Sequence, residues 1–521
     1  MENSRTQNSV RNMLYGAINR IVSIIFPFIV RTVFIKTIGE EYLGLNTLFS
    51  SILQVLNLAD LGFSTAIAAS MYKPIAENDI NKVSALMKLF RNVYKIIGFT
   101  ILFLGIIITP FIKYLINGNP PQGIDIYLLW ILYLFNTVIS YLLFAYKVSL
   151  INAHQRNDIT EKIGTISRVI TSLFQIYVVA VLKNVYLYVF LTLICTAAYN
   201  LGCSIECDKR YPQYKCEGDV EKETKQKIIK DIKALTIQKI GNTISLSLDS
   251  IIISSFLGLS AVAIYGNYFY IISSISMFVS LIHSSITASI GNSIASESLE
   301  KNYSDLIKFS FLNTWLIGWC SICFMCLFQD FMILWMGKNL LLGTSTILCL
   351  VLRFFSEHLR KVVLTYKDAA GIWWYDKWKP LVGCLVNLIL NIVLVKKIGI
   401  AGVAISTVIS FIFVEMPWET HVLFKYYFKK SEIEYYNNLL ISIVFIIFVG
   451  MVTYYSCMML KISGISAICI KLIICVILPN LLYVFINRKN KYYIMTKPLI
   501  KNILAIMIIK VKKDELERYS V

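Results

Sequence analysis

Apolar stretches about 20 residues long recur along most of this chain, roughly fourteen of them, and each is long enough to cross a bilayer as a helix. They centre near Ile24, Leu56, Leu102, Leu134, Phe174 and Leu193, then near Ile251, Met277, Leu316, Val351, Ile389 and Val408, and finally near Ile447 and Ile474. A soluble domain does not repeat such runs, and a mean hydropathy of +0.66 over 521 residues agrees. The expected fold class is therefore an all-α integral membrane protein with about 14 transmembrane helices. The polar start MENSRTQNSVRN leads straight into the first span, with no cleavage site before it, so that span is expected to be retained.

The net charge of +19 is distributed by loop rather than gathered on one surface, which argues against nucleic acid as a partner. One set of alternate loops holds Lys73, Lys82, Lys88 and Arg91; Arg156 and Lys162; Lys209 through Lys233; Lys301 and Lys308; Lys367, Lys377 and Lys379; and Lys425, Lys429 and Lys430. The other set holds only Lys36, Lys113, Lys183, Lys338, Lys396–Lys397 and Lys461. Basic loops face the cytoplasm, so both termini and residues 204–233 are expected there. The polar break from Glu206 to Lys233 separates an N-terminal lobe, 1–225 with helices 1–6, from a C-terminal lobe, 226–430 with helices 7–12. Helices 13–14 occupy 431–490, and 491–521 is a basic cytoplasmic tail, interfacial or disordered. The opposite loops are too short to fold into a catalytic domain.

The opening hairpin, residues 10–70, returns at 237–291: LGLSAVAIYGNYF stands where IGEEYLGLNTLF stood, with Gly39 opposite Gly258. The first hairpin also carries Arg20, Arg31, Asn57 and Asp60 in apolar surroundings. A charge at the bilayer centre costs roughly 3 kcal/mol or more, so such groups persist when they face water or protein. Two related halves around a polar interior is how transporters are built. Other ionisable groups inside apolar stretches are Arg168, Lys239, Asp249, His283, Arg353, Glu357, Arg360 and Glu415. Arg31, Arg360 and Lys361 lie near span ends and can snorkel; Arg20, Asp60 and Asp249 lie deeper and point to function.

No phosphate-binding glycine loop, H-E-x-x-H or nucleophile elbow is present, and the four histidines are far apart in sequence, so an enzyme is not expected. Most of the twelve cysteines fall in apolar stretches as small hydrophobes, and Cys203, Cys207 and Cys216 make no zinc spacing. Asp249, Asn387, Asn391, the main-chain carbonyl of Val403, and Thr407 together offer the hard oxygens that a small cation prefers. Interhelical amide bonding explains the two asparagines almost as well.

Several strings, YLGLNTLFSSILQVLNLADLGFSTAIAASMYKPIAENDINKV, VVLTYKDAAGIWWYDKWKP and KKIGIAGVAISTVIS, resemble bacterial Wzx-type polysaccharide (O-antigen) flippases. These belong to the multidrug/oligosaccharidyl-lipid/polysaccharide exporter superfamily. The resemblance implies two pseudo-symmetric six-helix bundles in a MATE-like V-shaped fold, plus two C-terminal helices. It implies a bacterial inner-membrane transporter that flips undecaprenyl-pyrophosphate-linked oligosaccharide to the outer leaflet by alternating access, for capsule, O-antigen or exopolysaccharide synthesis. Polysaccharide polymerase and chain-length proteins are the implied partners. The expected cavity residues are Arg20, which matches a cavity arginine of the lipid II flippase branch, and, from their polar or charged character in apolar helices, Arg31, Asn57, Asp60, Arg168, Lys239 and Arg353. In the lipid II flippase branch a basic residue stands where Asn57 is, and another near Asn267. The same branch binds sodium with a pattern matching Asp249, Asn387, Asn391, Val403 and Thr407, with Asn391 in place of an acid. No organic cofactor and no metal beyond sodium is expected, and sodium and proton coupling both stay open. The alternative is a MATE-type cation-coupled multidrug exporter, which would have an acidic cavity.

Overall fold

The computed structural model describes residues 5–57, 63–372, 374–460 and 462–497. Asp60 and the tail beyond 497 lie outside the described residues, as do the side chain of Lys239 and most of its neighbours on the same helix. Among the described residues there are helices and connecting turns and no strand. That follows from the solvent: in hydrocarbon each backbone amide must be paired within its own segment.

In chain order the helices are α1 Arg5–Thr37, α2 Glu40–Leu56, α3 Phe63–Ala76, α4 Ile80–Ile108, α5 Ile126–Leu142, α6 Ala145–Ala153, α7 Asn157–Tyr177, α8 Val185–Arg210 and α9 Lys222–Leu257. They continue as α10 Leu259–Ser296, α11 Leu299–Met336, α12 Thr344–Leu359, α13 Lys361–Ala369, α14 Lys379–Ile398, α15 Ile400–Ser410, α16 Met416–Val422, α17 Ile433–Met458 and α18 Ile465–Asn487. Ten described segments are long and apolar enough to span, eleven if the pair α5 and α6, bent by 47°, counts as one. The remaining spans expected from sequence coincide with α2 and α3, with α9, and with α12 and α13, so a count of fourteen is compatible with the fold.

Local chemistry sets many boundaries. Asp79, Asp125, Asn184 and Ser298 cap α4, α5, α8 and α11 by accepting from the amides of Lys82, Tyr127, Leu187 and Lys301. The repeated hairpins both turn on a glycine in the positive-φ region, Gly39 at 114° and Gly258 at 87°. A side chain there would strain the backbone, so the glycine match seen in sequence marks an equivalent turn.

The chain forms two compact units that do not follow the chain order of the lobes. The first comprises Met1–Tyr270 and Pro380–Ser406, the second Ile271–Lys379 and Thr407–Val521. In the first, α9 packs on α2, and the Gly44 backbone lies so near Leu259 that an added Cβ would sit 2.2 Å from its carbonyl oxygen. Its apolar core surrounds Trp130, which meets Phe49 edge-on at 5.5 Å and donates its indole N–H to Thr109 at 3.1 Å. In the second, α11 is the central helix, packed by α12, α17 and α18. Gly318 of α11 lets Ile446 of α17 approach closely.

Candidate functional site

A cavity of about 600 Å³ opens inside the first unit, walled by α1, α2, α7, α8 and the start of α10. Its charged lining residues are Arg31, Glu161 and Arg168, a net of one positive charge. Asn19, Asn46, Gln175, Thr192, Tyr188 and Tyr270 supply polar groups around them. Pro27 interrupts the α1 backbone between Asn19 and Arg31.

Arg31 is held from one side only. Its Nε donates to Oδ1 of Asn267, and its guanidinium lies 5.8 Å from the centre of the Tyr270 ring. Tyr270 in turn donates its hydroxyl to the carbonyl of Ile24 at 2.6 Å, which fixes α10 against α1. Nη2 of Arg31 is buried and makes no hydrogen bond. Gly266 makes the space for it, since a Cβ there would stand 2.8 Å from Nη2. A buried donor of a charged group left unpaired is costly, and the Arg31 side chain carries that cost in the wall of the cavity.

A second polar cleft, about 390 Å³, shares Asn46, Gln175, Tyr188 and Thr192 with the first and continues past Gln54, Asn57 and Asn136. Its groups are amides and hydroxyls rather than charges. Gln175 donates to Thr192 at 2.8 Å, Thr196 donates to Asn136 at 2.8 Å, and Oδ1 of Asn57 is buried and unpartnered.

The other residues singled out from sequence fall elsewhere. Arg20 is exposed on α1 and does not line this cavity; its neighbour Asn19 does, donating to Glu161. Arg353 is buried in the second unit. Glu161, Asn19, Gln175 and Tyr270 were missed, because polar residues near a span end or an aromatic on an apolar helix carry no sequence signal of a cavity.

The expected oxygen cluster assembles in part. Asp249, Asn387 and Asn391 are all buried, and Nδ2 of Asn391 donates to Oδ1 of Asp249 at 3.0 Å and of Asn387 at 3.2 Å. Tyr265 donates to the other Asp249 oxygen at 3.2 Å. Val403 is buried in the same unit, whereas Thr407, also buried, belongs to the second. Oδ1 of Asn391 is buried without a partner. A carboxylate and amide oxygens, one of them unsatisfied, fit a small hard cation.

The second unit carries a buried chain of alternating charge: Glu415, Arg360, Glu419, Lys379, Asp376 and Lys367. Arg360 lies 2.7 Å from Glu415 and 2.6 Å from Glu419, and Lys367 lies 2.6 Å from Asp376. Lys367 and Lys379, counted above as loop cations, are therefore buried ion-pair partners.

These features define a class of protein, a multi-span helical transporter. In structure the chain is similar to the lipid II flippase MurJ in its inward closed conformation, at a TM-score of 0.65 and 13% identity, over 92% of this chain and 99% of that one. It is similar to an inward-facing multidrug resistance MATE family transporter of the MOP superfamily, with values of 0.59 and 13%, over 78% and 95%. It is also similar to a MOP superfamily transporter from Pyrococcus furiosus whose binding pocket is described as having reverse polarity, with values of 0.55 and 15%, over 81% and 96%. No curated protein matches the sequence. Residues 9–287 match the polysaccharide biosynthesis protein family, over more than half of the chain, and the chain belongs to that family.

Proposed function

We propose that this protein flips an oligosaccharide linked to undecaprenyl pyrophosphate from the cytoplasmic to the outer leaflet by alternating access. In this reading it is a multi-pass protein of the bacterial inner membrane with both termini in the cytoplasm. The observation that carries the reading is Arg31, with no carboxylate partner and Nη2 unpaired, in a net-positive cavity that runs into an amide-lined cleft. A pyrophosphate diester carries about two negative charges, which hydrocarbon rejects unless donors accompany them. Arg31 and Arg168 supply such donors, and the planar guanidinium fork suits phosphate oxygens. Amides and hydroxyls suit sugar rings, which are neutral and rich in hydroxyls. The prenyl tail stays in lipid and no covalent bond changes. An organic-cation exporter would need the opposite charge in this cavity.

Arg20 has a separate place in this reading. It lies midway along α1, is exposed on the first unit, and sits at the depth of the apolar span. An arginine there needs water, protein or an anion beside it rather than lipid. We place it on the path of the pyrophosphate, with Asp60, Lys239 and Arg353 as further cavity candidates. Asp249, Asn387, Asn391 and Val403 are the residues that would hold a coupling cation, with Thr407 as a further candidate ligand. Polymerase and chain-length proteins would receive the flipped product.

The test is headgroup translocation in proteoliposomes carrying a fluorescent undecaprenyl-pyrophosphate glycan. The wild type should accelerate flipping, and Arg31→Ala or Arg20→Ala should abolish it at normal protein level. Each lysine variant should recover part of the rate, keeping charge but losing the fork. Equal acceleration of an uncharged prenyl glycan would refute the reading.

A further inference from the structure

Four thiols from three helices converge in the second unit. Cys323 and Cys326, three apart, share a face of α11, Cys457 ends α17, and Cys475 lies on α18. The sulfurs of Cys326, Cys457 and Cys475 all lie within 4.8 Å of one another, and all three residues are buried. Cys323, one helical turn before Cys326, packs against the same cluster. Cysteine used only as a small hydrophobe has no reason to bring its sulfurs together. We propose that Cys323, Cys326, Cys457 and Cys475 bind one thiophilic metal ion of the zinc class.

The geometry is close to what such an ion demands. Zinc–sulfur bonds of about 2.3 Å in a tetrahedron place the sulfurs about 3.8 Å apart. The sulfurs of Cys326, Cys457 and Cys475 lie within 4.8 Å of one another, so each pair has at most about 1 Å to close. The backbone beneath one of the thiols is also held. Trp319 donates its indole N–H to the carbonyl of Cys475 at 2.8 Å, which fixes the backbone under one ligand. One helical turn away on the same faces, Asp330 of α11 pairs with Lys471 of α18. A bound ion would fasten α17 and α18 to the central helix of the unit, a role apart from the arginine cavity of the first unit.

The probe is Co²⁺ added to the purified, reduced full-length chain in detergent. The expected result is one Co²⁺ per chain with thiolate-to-cobalt charge-transfer absorption, displaced by Zn²⁺. Cys326→Ser and Cys475→Ser should lose the band, while Cys349→Ser on α12 should keep it. The wild-type measurement is decisive without any variant, since a chain that binds no Co²⁺ and carries no zinc by elemental analysis overturns the site. A band that survives Cys475→Ser overturns it too, as does a Cys326–Cys475 disulfide found by mass spectrometry in the protein isolated without reductant.

Discussion

Changing Glu419 to Gln removes one carboxylate from a fully buried, balanced chain of three acids and three bases. Arg360 keeps Glu415 at 2.7 Å, but Lys379 is left with Asp376 at 3.7 Å and Glu415 at 4.0 Å, both looser contacts. Breaking a buried pair costs about 3–5 kcal/mol because one charge stays desolvated, and the surviving Glu415 contact puts this case near the lower end. For a unit of about 200 residues each kcal/mol moves the midpoint by roughly 2–4 °C, so a loss of roughly 6–12 °C is expected. The assay is thermal loss of the monodisperse peak in detergent. The double variant Glu419→Gln/Lys379→Met restores charge balance and should recover most of the loss, since an apolar replacement of a whole buried pair is nearly neutral. A single variant within 2 °C of wild type by this assay, about the shift of 1 kcal/mol or less, would show that water reaches these charges and that the argument from burial is wrong.

Gly266→Ala should displace the Arg31 guanidinium and slow flipping roughly tenfold or more, the worth of one hydrogen bond to a charged group, at unchanged protein level. An unaffected rate would mean that Arg31 does not hold substrate. Asn391→Asp adds an anionic oxygen beside Asp249, and Na⁺ relative to K⁺ should then stabilise the variant by about 2–3 kcal/mol at a hundredfold excess over its dissociation constant; a melting curve blind to Na⁺ in both proteins would reduce the cluster to interhelical bonding. Burial holds the His154 imidazole at about 4 against 6.5 unfolded, so its share of stability is complete above the unfolded value and is lost as pH falls toward 4. His154→Phe, which keeps the stack on Tyr211 at 4.1 Å, should flatten that slope in pH-dependent melting. With native cysteines removed, an impermeant thiol reagent outside intact cells should reach Lys338→Cys and miss Lys222→Cys; labelling at 222 would sink the topology.

The spans were legible because hydrocarbon permits few backbones and apolar length alone reports them. Asp249, Asn387 and Asn391 were partly legible for another reason. Asn387 and Asn391 are four apart, so one helix face must carry both, and a buried carboxylate needs such donors. Helix phase was not legible. A span is apolar toward lipid and toward protein alike, so spacing cannot say which face is inward, and one residue turns the side chain by about 100°. That is why Asn19 enters the cavity and Arg20 does not. Counting charges by sign likewise could not separate half-buried Lys377 from Lys367 and Lys379, which are buried against Asp376 and Glu419. The four thiols are 152 residues apart end to end, and only the packing of α11, α17 and α18 brings them together.

Arg31 shows how a departure from pattern can carry information once the fold is known. Near the end of α1 it reads as a snorkelling residue, and Asn267 reads as a position where a cavity cation is missing. The structure joins the two facts, because the neutral Asn267 side chain accepts from Arg31 and holds it in the cavity wall, with Nη2 unpaired beside Gly266. A second arginine at 267 would face the first with no acceptor between them, and like charges in a low-dielectric site repel strongly. One cation oriented by an amide serves a phosphate better than two that push each other away, so Asn267→Arg should impair flipping even though it adds positive charge. A gain of activity in that variant would show that total charge, and not the direction of the Arg31 fork, governs how this cavity receives an anion.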